Sequence, residues 1–225
     1  MTGFEFGIFV FAADQTSVRN NVLEDNAEYG VFANSSTNTT IVGNTASGSA
    51  EAGFYVGDSP NANAKVSGNE ASGALFGVFV RHAEGGSITS NRLHDNCVGV
   101  VVLADAPGPA GDFDISNNRI NHNTKLCDEE PPAVSGVGVI LIGAHDVTIS
   151  NNNIVDNLPG GPADITGGVI VIGGFENTEP IDNSITNNVI RNNAPDIVLG
   201  PEAIDTTVVS NNSCETSQPS GLCSN

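Results

Sequence analysis

The chain has 225 residues, of which 39% are hydrophobic, so it is long and apolar enough to bury a sizeable core. Glycine occurs 26 times, Met occurs once and Trp is absent, a composition that favours short strands and turns over long helices. Seven basic against 26 acidic side chains give a formal net charge of −19, which argues against nucleic acid and anionic membranes as partners.

An asparagine recurs inside short apolar segments along the whole chain, as in ISNNRINHN at 115–123 and ISNNNIVDN at 149–157. Aligning these segments gives eight copies, separated by 23, 25, 22, 27, 34, 36 and 23 residues. The aligned asparagines are Asn21, Asn44, Asn69, Asn91, Asn118, Asn152, Asn188 and Asn211. Val or Ile stands three positions before each of them, from Val18 to Val208, and this column is expected to face inward.

Each copy also has a second apolar segment that is typical of a buried strand. The segments are GIFV 7–10, GVFA 30–33, GFYV 53–56, GVFV 77–80, GVVV 99–102, GVIL 138–141, GVIV 168–171 and DIVL 196–199. A unit of this length without a helix cannot bury its apolar side alone, so successive units must stack. The sequence therefore predicts an all-β fold, a parallel β-helix of about eight coils. The absence of a six-residue period favours the right-handed form over the left-handed one.

The repeated asparagines have a structural explanation. Asn tolerates the left-handed backbone of a tight corner, and its amide can bond the equivalent Asn one coil above and below. Such an amide ladder satisfies polar groups that a buried corner would otherwise leave unpaired. We therefore expect the aligned asparagines to serve the fold and not chemistry.

The four cysteines form no CxxC pair, and with only four His in the chain a zinc site is not indicated. Cys214 and Cys223 bracket the segment ETSQPSGL near the end of the sequence. We predict two disulfides, Cys97–Cys127 and Cys214–Cys223, and with them a secreted or otherwise extracytoplasmic location.

The sequence begins directly in a strand pattern, MTGFEFGIFVF, without the charged segment and cleavage site of a signal peptide. It contains no apolar run long enough to span a bilayer. We expect residues 1–225 to form a single domain that is the later part of a longer secreted chain.

Outward-facing positions next to the asparagine column carry the first candidate site. Alignment of the copies places Arg92 and His94 beside Arg119 and Asn121 on the following coil. Two neighbouring arginines in so acidic a protein suggest a clamp for a carboxylate, with His94 as acid or base and Asn121 as a further contact. The alternative is that Glu70, one coil earlier, pairs with Arg92 and that the positions are simply solvated.

A second outward column, on the other strand, begins with Phe9, Phe32, Tyr55 and Phe79 and continues with aliphatic residues. Four stacked rings can bind sugar rings, or can be covered by another part of a longer chain, or can stabilise the sheet alone. The dipeptide Arg81–His82 ends this strand in one copy, and with Asp58 one coil earlier it forms a lesser candidate cluster.

Longer insertions interrupt the repeat at two corners, 121–137 with 155–167, and 103–114 with 173–184. The first pair is expected to lie side by side, because it leaves the same corner of adjacent coils. Its acidic residues are Asp128, Glu129, Glu130, Asp156 and Asp164. They lack the spacing of a calcium motif, so we expect no cofactor and no metal, with calcium as the open alternative.

The coils of the type GIFV…SVRNN, the segment GVVVLADAPGPAGDFDISNNRI at 99–120 and the closing C…GLC resemble the right-handed parallel β-helix repeat proteins of the pectate-lyase-like superfamily. The similarity is greatest to secreted bacterial members grouped with the copper accessory protein of nitrous-oxide reductase. It implies the fold for nearly the whole chain. Metal delivery, which that group suggests, would need Met or Cys/His clusters that are absent here.

Three functions stay open at this point. The first is a monomeric secreted module that binds polysaccharide or a cell-surface glycan. The second is a carbohydrate-active enzyme, a lyase, hydrolase or epimerase acting along the rod, although the sequence contains no DPHD string of the alginate epimerase type. The third is a structural surface protein without a glycan ligand.

Overall fold

The computed structural model describes residues 1–105, 108–129, 131–175 and 178–223. Regular structure in these ranges is almost entirely β-strand, with a short 3-10 helix at Pro201–Ala203. Among these residues, no helix has the length and hydropathy needed to cross a membrane.

The strands form three parallel arrays, here called the first, second and third sheets. The first sheet contains Phe6–Phe11, Tyr29–Asn34, Ala52–Ser59, the first half of Phe76–Thr89, Val98–Leu103, Val134–Ile142, Ile165–Ile172, Ile197–Leu199 and Ser217–Gln218. The second contains Ser17–Arg19, Thr40–Val42, Ala64–Ser67, the rest of Phe76–Thr89, Gly111–Ser116, Thr148–Ser150, Asn183–Thr186 and Thr207–Ser210. The third contains Val22–Glu24, Thr45–Ser47, Glu70–Ser72, Arg92–His94, Arg119–Asn121, Asn153–Val155 and Val189–Arg191.

The chain passes through the three sheets in turn and then repeats, so each turn is one coil. Every strand pairs in parallel with its equivalent in the next coil, as in Ile41 with Val66 and Leu93 with Ile120. The described residues form eight such coils around a continuous core of inward side chains, which include Leu23, Ile41, Ile88, Ile120 and Ile154. The predicted parallel β-helix and its number of coils are therefore confirmed.

At each asparagine-rich corner, two adjacent residues have different structural roles. The first residue adopts a left-handed backbone, as Asn117 does with φ 57° and Gly68 with φ 63°. The second residue turns its side chain inward and carries the ladder; Asn118 follows Asn117 in this way and is 2% exposed. The pair NN in the sequence therefore combines a residue that tolerates positive φ with a residue that bonds neighbouring coils.

The side-chain ladder joins all eight coils at the corner between the second and third sheets. In each step the Nδ2 of one Asn donates to the Oδ1 of the next, at 2.9 to 3.1 Å. The same Oδ1 also accepts the backbone N–H of the earlier Asn, as Asn118 does from Asn91 at 2.9 Å. The remaining Nδ2 hydrogen bonds a carbonyl, so that Asn118 donates to Ile88 O at 2.7 Å. The amides therefore satisfy one another in the interior.

A second amide ladder, which we did not predict, lies at the corner between the third and first sheets. Asn96, Asn123, Asn157 and Asn193 form it, with side-chain bonds of 2.9 to 3.0 Å. It continues from Asn193 to Asp196 at 3.0 Å. Its signal in the sequence is an Asn five residues after a ladder Asn, a spacing visible in ISNNNIVDN.

The predicted register is wrong by one residue in the last coil. Asn212, and not Asn211, accepts from Asn188 at 3.0 Å, whereas Asn211 takes the left-handed position with φ 56°. Val209 accordingly packs against the core, and Val208 is 61% exposed. Cys214 also moves from the expected outward column to a partly buried position against the core.

Both predicted disulfides, Cys97–Cys127 and Cys214–Cys223, are formed.

The loops 122–133 and 156–164 lie side by side as expected, because Asp164 and Ile165 both donate their backbone N–H to Ala133 O. On the opposite corner, Thr178 Oγ1 donates to Ala104 O at 3.0 Å across the two other insertions, of which 106–107 and 176–177 lie outside the described residues.

Replacing Asn118 by Ala should destabilise the protein by about 3 kcal/mol or more, because it removes four hydrogen bonds and leaves buried partners on two neighbouring coils unpaired. Urea denaturation followed by circular dichroism measures this loss. Asn117→Gly is the matched control, since Gly adopts positive φ freely, and we expect it to change stability by less than about 1 kcal/mol. Equal losses in the two variants would contradict the role of the ladder.

Candidate functional site

The outer face of the first sheet carries a continuous row of rings, here called the aromatic stack. It consists of Phe9, Phe32, Tyr55 and Phe79, which are register partners in consecutive coils. The centroid distances along it are 5.5, 4.7 and 5.4 Å. Parallel pairing places equal positions of successive coils in line, so one aromatic residue per coil produces a row of contacting rings.

Only part of the aromatic stack is accessible. Phe9 is 55% exposed and Phe32 is half-buried, but Tyr55 and Phe79 are 4% and 7% exposed. Tyr29 and Phe76 cover these two rings from the adjacent column, at 5.1 Å from Tyr55 and 4.7 Å from Phe79. Sequence alone shows that the four rings point outward, but not that neighbours on the same face cover two of them.

Beyond the aromatic residues the same face becomes aliphatic and is covered by the chain itself. Val101, Ile140 and Ile170 continue the column and are at most 4% exposed. They form one cluster with Cys97, against which Cys127 of the loop 122–133 packs. The Cys97–Cys127 disulfide thus fixes this loop beside the covered half, and the first two coils keep the open rings.

A cluster of four charged or titratable side chains, here called the Arg81 cluster, borders the aromatic stack at the end of the strands. Arg81 donates to both oxygens of Asp105, at 3.1 and 2.8 Å. His82 Nδ1 lies 3.1 Å from Asp58 Oδ1, and its Nε2 contacts Asp105. The structure thus brings together the predicted Arg81, His82 and Asp58 and adds Asp105 from the next coil.

The Arg81 cluster controls the protonation of nearby groups. Burial, the largest influence, raises the pKa of the Asp105 carboxyl, but the hydrogen bonds and charges of Arg81 and His82 outweigh it and hold that pKa below its usual value. Burial, reinforced by the Asp58 carboxylate, raises the pKa of the Tyr55 hydroxyl to about 12. Tyr55 therefore presents a neutral hydroxyl at physiological pH, and its ring lies over Gly57, where a side chain would collide with it.

On the other side of the aromatic stack lies a row of glutamates, here called the acidic column. Its members Glu5, Glu28 and Glu51 directly precede the first three strands of the sheet. The N–H of Glu28 donates to Glu5 O at 3.0 Å, and that of Glu51 to Glu28 O at 2.9 Å. Glu5 and Glu28 are exposed and Glu51 is half-buried. The aromatic stack is therefore bordered by the acidic column on one side and by the Arg81 cluster on the other.

The residues predicted to form a site on the third sheet lie close together, but Arg92 and His94 are already paired with carboxylates. Arg92 and Arg119 are register partners, as expected. Arg92 Nη1 donates to Glu70 Oε1 at 2.6 Å, and His94 lies between Glu70 at 2.9 Å and Asp95 at 2.6 Å. A hydrogen bond from His94, together with the Arg92 charge, holds the pKa of Glu70 below its usual value. The alternative, that Glu70 neutralises Arg92, is the arrangement observed.

Arg119 and Asn121 form a separate small contact beside this cluster. Arg119 Nε donates to Asn121 Oδ1 at 3.2 Å, and Asn121 Nδ2 lies 2.6 Å from His122 Nδ1. Asn121 is only 5% exposed, so it is much less accessible than its outward position in the sequence alignment suggests. Arg119 itself remains exposed.

The acidic loop residues are spread over their own contacts. Asp164 Oδ2 accepts the N–H of Ala133 at 2.9 Å, and Asp156 Oδ1 accepts from Asn192 Nδ2 at 3.1 Å. Asp128 and Glu129 are exposed, and Glu130 lies outside the described residues. In the described ranges, no three His, Cys, Asp or Glu side chains are grouped so that they could hold a metal ion. The expected absence of a cofactor stays a prediction.

Two features of the site were missed in the sequence. Asp105 lies in an insertion, and its pairing with Arg81 depends on how that insertion folds back at the corner. The acidic column was detectable, since an acid precedes the aromatic strand in each of the first three copies, at positions 5, 28 and 51.

Comparison with known proteins identifies the architecture. The sequence model described as "Right handed beta helix region" matches residues 6–168. No curated protein sequence matches the chain.

Solved structures with similar coils include an alginate epimerase and a mannuronan C-5 epimerase. The periplasmic alginate epimerase AlgG superposes with a TM-score of 0.70 at 15% identity, over 94% of this chain and 48% of that enzyme. A double mutant of AlgG gives a TM-score of 0.75 at 14% identity, again over 94% and 48%. The A-module of the Azotobacter vinelandii mannuronan C-5 epimerase AlgE4 gives 0.53 at 18% identity, over 88% and 53%. This chain therefore spans about half the length of these structures.

Asp105→Asn should lower the free energy of unfolding by about 1–2 kcal/mol at about pH 7, because it removes the bidentate pair with Arg81. The pKa of Asp105 is lowered in the folded protein, so its stabilisation is present above the ordinary Asp pKa and is lost as pH falls through the folded value. The difference in free energy of unfolding between the variant and the parent should therefore shrink at about pH 3. Urea denaturation at both pH values measures this difference.

Glu70→Gln is the control for this prediction. Its pair with Arg92 is more open, with 38% and 52% of the two side chains exposed, so solvent screening should limit the loss to less than about 1 kcal/mol. A loss in Asp105→Asn that is equally large at about pH 3 and pH 7 would show that the carboxylate charge is not its origin.

Proposed function

The chain belongs to the right-handed β-helix family, and from this premise we propose that it is a module that binds polysaccharide along the outer face of its first sheet. The observation that carries the proposal is the aromatic stack, whose open rings Phe9 and Phe32 lie parallel, with an interplanar angle of 11°. Apolar rings in a row form a surface against which the apolar faces of sugar units can pack, and polar groups at the borders suit the sugar hydroxyls.

The Arg81 cluster supplies those polar groups. Arg81, partly exposed while held by Asp105, presents fixed N–H donors, and Asp58, with half its side chain exposed, presents acceptors. Because these side chains are positioned by bonds to each other, they lose little conformational freedom when a ligand binds. The similarity of the coils to an alginate epimerase and a mannuronan C-5 epimerase supports a carbohydrate ligand.

The proposed module works outside the cytoplasm and as a monomer. The two disulfides, which persist in oxidising compartments, and the periplasmic location in the name of AlgG support the extracytoplasmic site. The net charge of −19 opposes association of copies with each other and binding of nucleic acid. The narrower resemblance to the copper accessory group stays a prediction.

A second candidate function is catalysis on a polysaccharide at the third sheet, by Arg92, His94 and Arg119. The observation that favours it is His94, whose two ring nitrogens are both held by carboxylates, next to an exposed Arg119. Such a histidine is well positioned to transfer a proton. Turnover of polysaccharide, lost in His94→Ala and Arg119→Ala, would establish the enzyme; binding without products supports the module.

Replacing Phe32 by Ala should weaken glycan binding at least tenfold, because it removes the central open ring of the aromatic stack. Isothermal titration with hexasaccharides of glucose, N-acetylglucosamine, glucosamine and mannuronate identifies which of them bind. Phe175→Ala is the matched control: Phe175 is 62% exposed on a loop of the seventh coil, so its loss should leave the affinity unchanged. Equal affinities in the parent and Phe32→Ala would place the ligand elsewhere, and binding of none of the four would refute the proposed function.

A further inference from the structure

The acidic column is an unfavourable arrangement in the free protein. Glu5, Glu28 and Glu51 stand in line at the coil spacing, roughly 4.8 Å, and like charges directly opposite each other on neighbouring strands destabilise a sheet. In the part of the chain that the structure describes, none of their carboxylates forms an ion pair or a side-chain hydrogen bond. Their charge is therefore available to something outside the chain.

The half-buried Glu51 carboxylate is destabilised by this arrangement. Burial, followed by the charge of Glu28, raises the pKa of the Glu51 carboxyl, with Arg81 opposing the rise. A cation placed between Glu28 and Glu51 would relieve both the desolvation and the repulsion. Such a cation would lie beside Tyr29, at the edge of the open rings.

The opposite border offers one positive charge, that of Arg81, and it is already paired with a carboxylate. Arg81 is the one arginine of this face, and both oxygens of Asp105 occupy its guanidinium. Asp58 adds a further carboxylate, with 49% of its side chain exposed. A polyanionic chain laid along the aromatic stack would thus meet five carboxylates and a single, already paired guanidinium.

From this charge pattern we infer that the aromatic face selects a glycan that carries free, protonated amino groups, with Glu28 and Glu51 as the residues that determine specificity. The sugar rings stack on Phe9 and Phe32, and the ammonium groups pair with the acidic column. The inference rests on the proposed function, and it assigns to this face a ligand charge opposite to that of mannuronan, the polymer in the name of the AlgE4 neighbour.

The test compares three hexasaccharides by titration at a mildly acidic pH: glucosamine, its N-acetylated form with the same backbone, and mannuronate. We expect the glucosamine hexamer to bind at least tenfold more tightly than the acetylated one, and the mannuronate hexamer most weakly. The double variant Glu28→Gln/Glu51→Gln should lose about tenfold in affinity for the glucosamine hexamer and keep its affinity for the acetylated one.

The double variant Glu24→Gln/Glu215→Gln is the control for attraction by net charge. It removes the same two charges from exposed positions outside the first sheet, and it should leave the affinity for the glucosamine hexamer unchanged. Equal weakening by the two double variants, or tighter binding of mannuronate, would overturn the inference. Binding of both uncharged and charged hexamers with equal affinity, weakened by Phe32→Ala, would overturn it while the proposed function stands. No binding of any of the three hexamers, nor of the glucose hexamer, would refute both.

Discussion

The structure depends on one interaction, the hydrogen bond between the side-chain amides of asparagines on successive coils. Each bond is 2.9 to 3.1 Å long, and from Asn44 onward the amides are buried, where an unpaired amide is costly. Because Asn both donates and accepts, the row extends from coil to coil without a mismatched group. It fixes the register of all three sheets, since a slip of one residue would leave every amide of that coil unpaired and turn its apolar residues outward.

Because the register is fixed, the repeated sequence places equivalent residues of successive coils in rows on the surface. Once every coil is aligned, residues at equivalent positions form lines along the rod, and a property repeated in three or four copies becomes a surface. Aromatic residues at one position produce the stack that ends in the open rings of Phe9 and Phe32, and acids just before it produce the column of Glu5, Glu28 and Glu51. The same geometry on the third sheet brings Arg92 beside Arg119. The proposed glycan recognition therefore depends on the same ladder that stabilises the fold.

The sequence predicted the fold well because the period of the repeat is set by local chemistry. Inward residues such as Ile88 and Leu93 alternate with outward ones, and the asparagines mark the corners. Where two registers fit the same letters, sequence reasoning failed: NN at 211–212 and VV at 208–209 satisfy either alignment, and tertiary contacts favour Asn212 and Val209.

The candidate site was less predictable, for reasons that lie in side-chain packing. The direction of each side chain follows from the alternation of a strand, so the outward orientation of Tyr55 and Asn121 could be predicted. Their burial could not, because it depends on how the long side chains of Tyr29 and Arg119 fold over them. The Asp105 partner of Arg81 likewise comes from an insertion, where no repeat fixes the position.

The corner loops show how tolerant this scaffold is of added length. Ladder amides separated by 22 residues and by 34 residues both bond at 3.0 Å, although loop 122–133 lies between the latter pair. The length of the loop between the third and first sheets therefore does not change the ladder bond. Foreign peptides grafted at this corner would be displayed sideways from a rigid rod, one per coil, at separations set by the rise of the helix. The chain is in that sense a scaffold with regularly spaced attachment points for epitopes or enzymes.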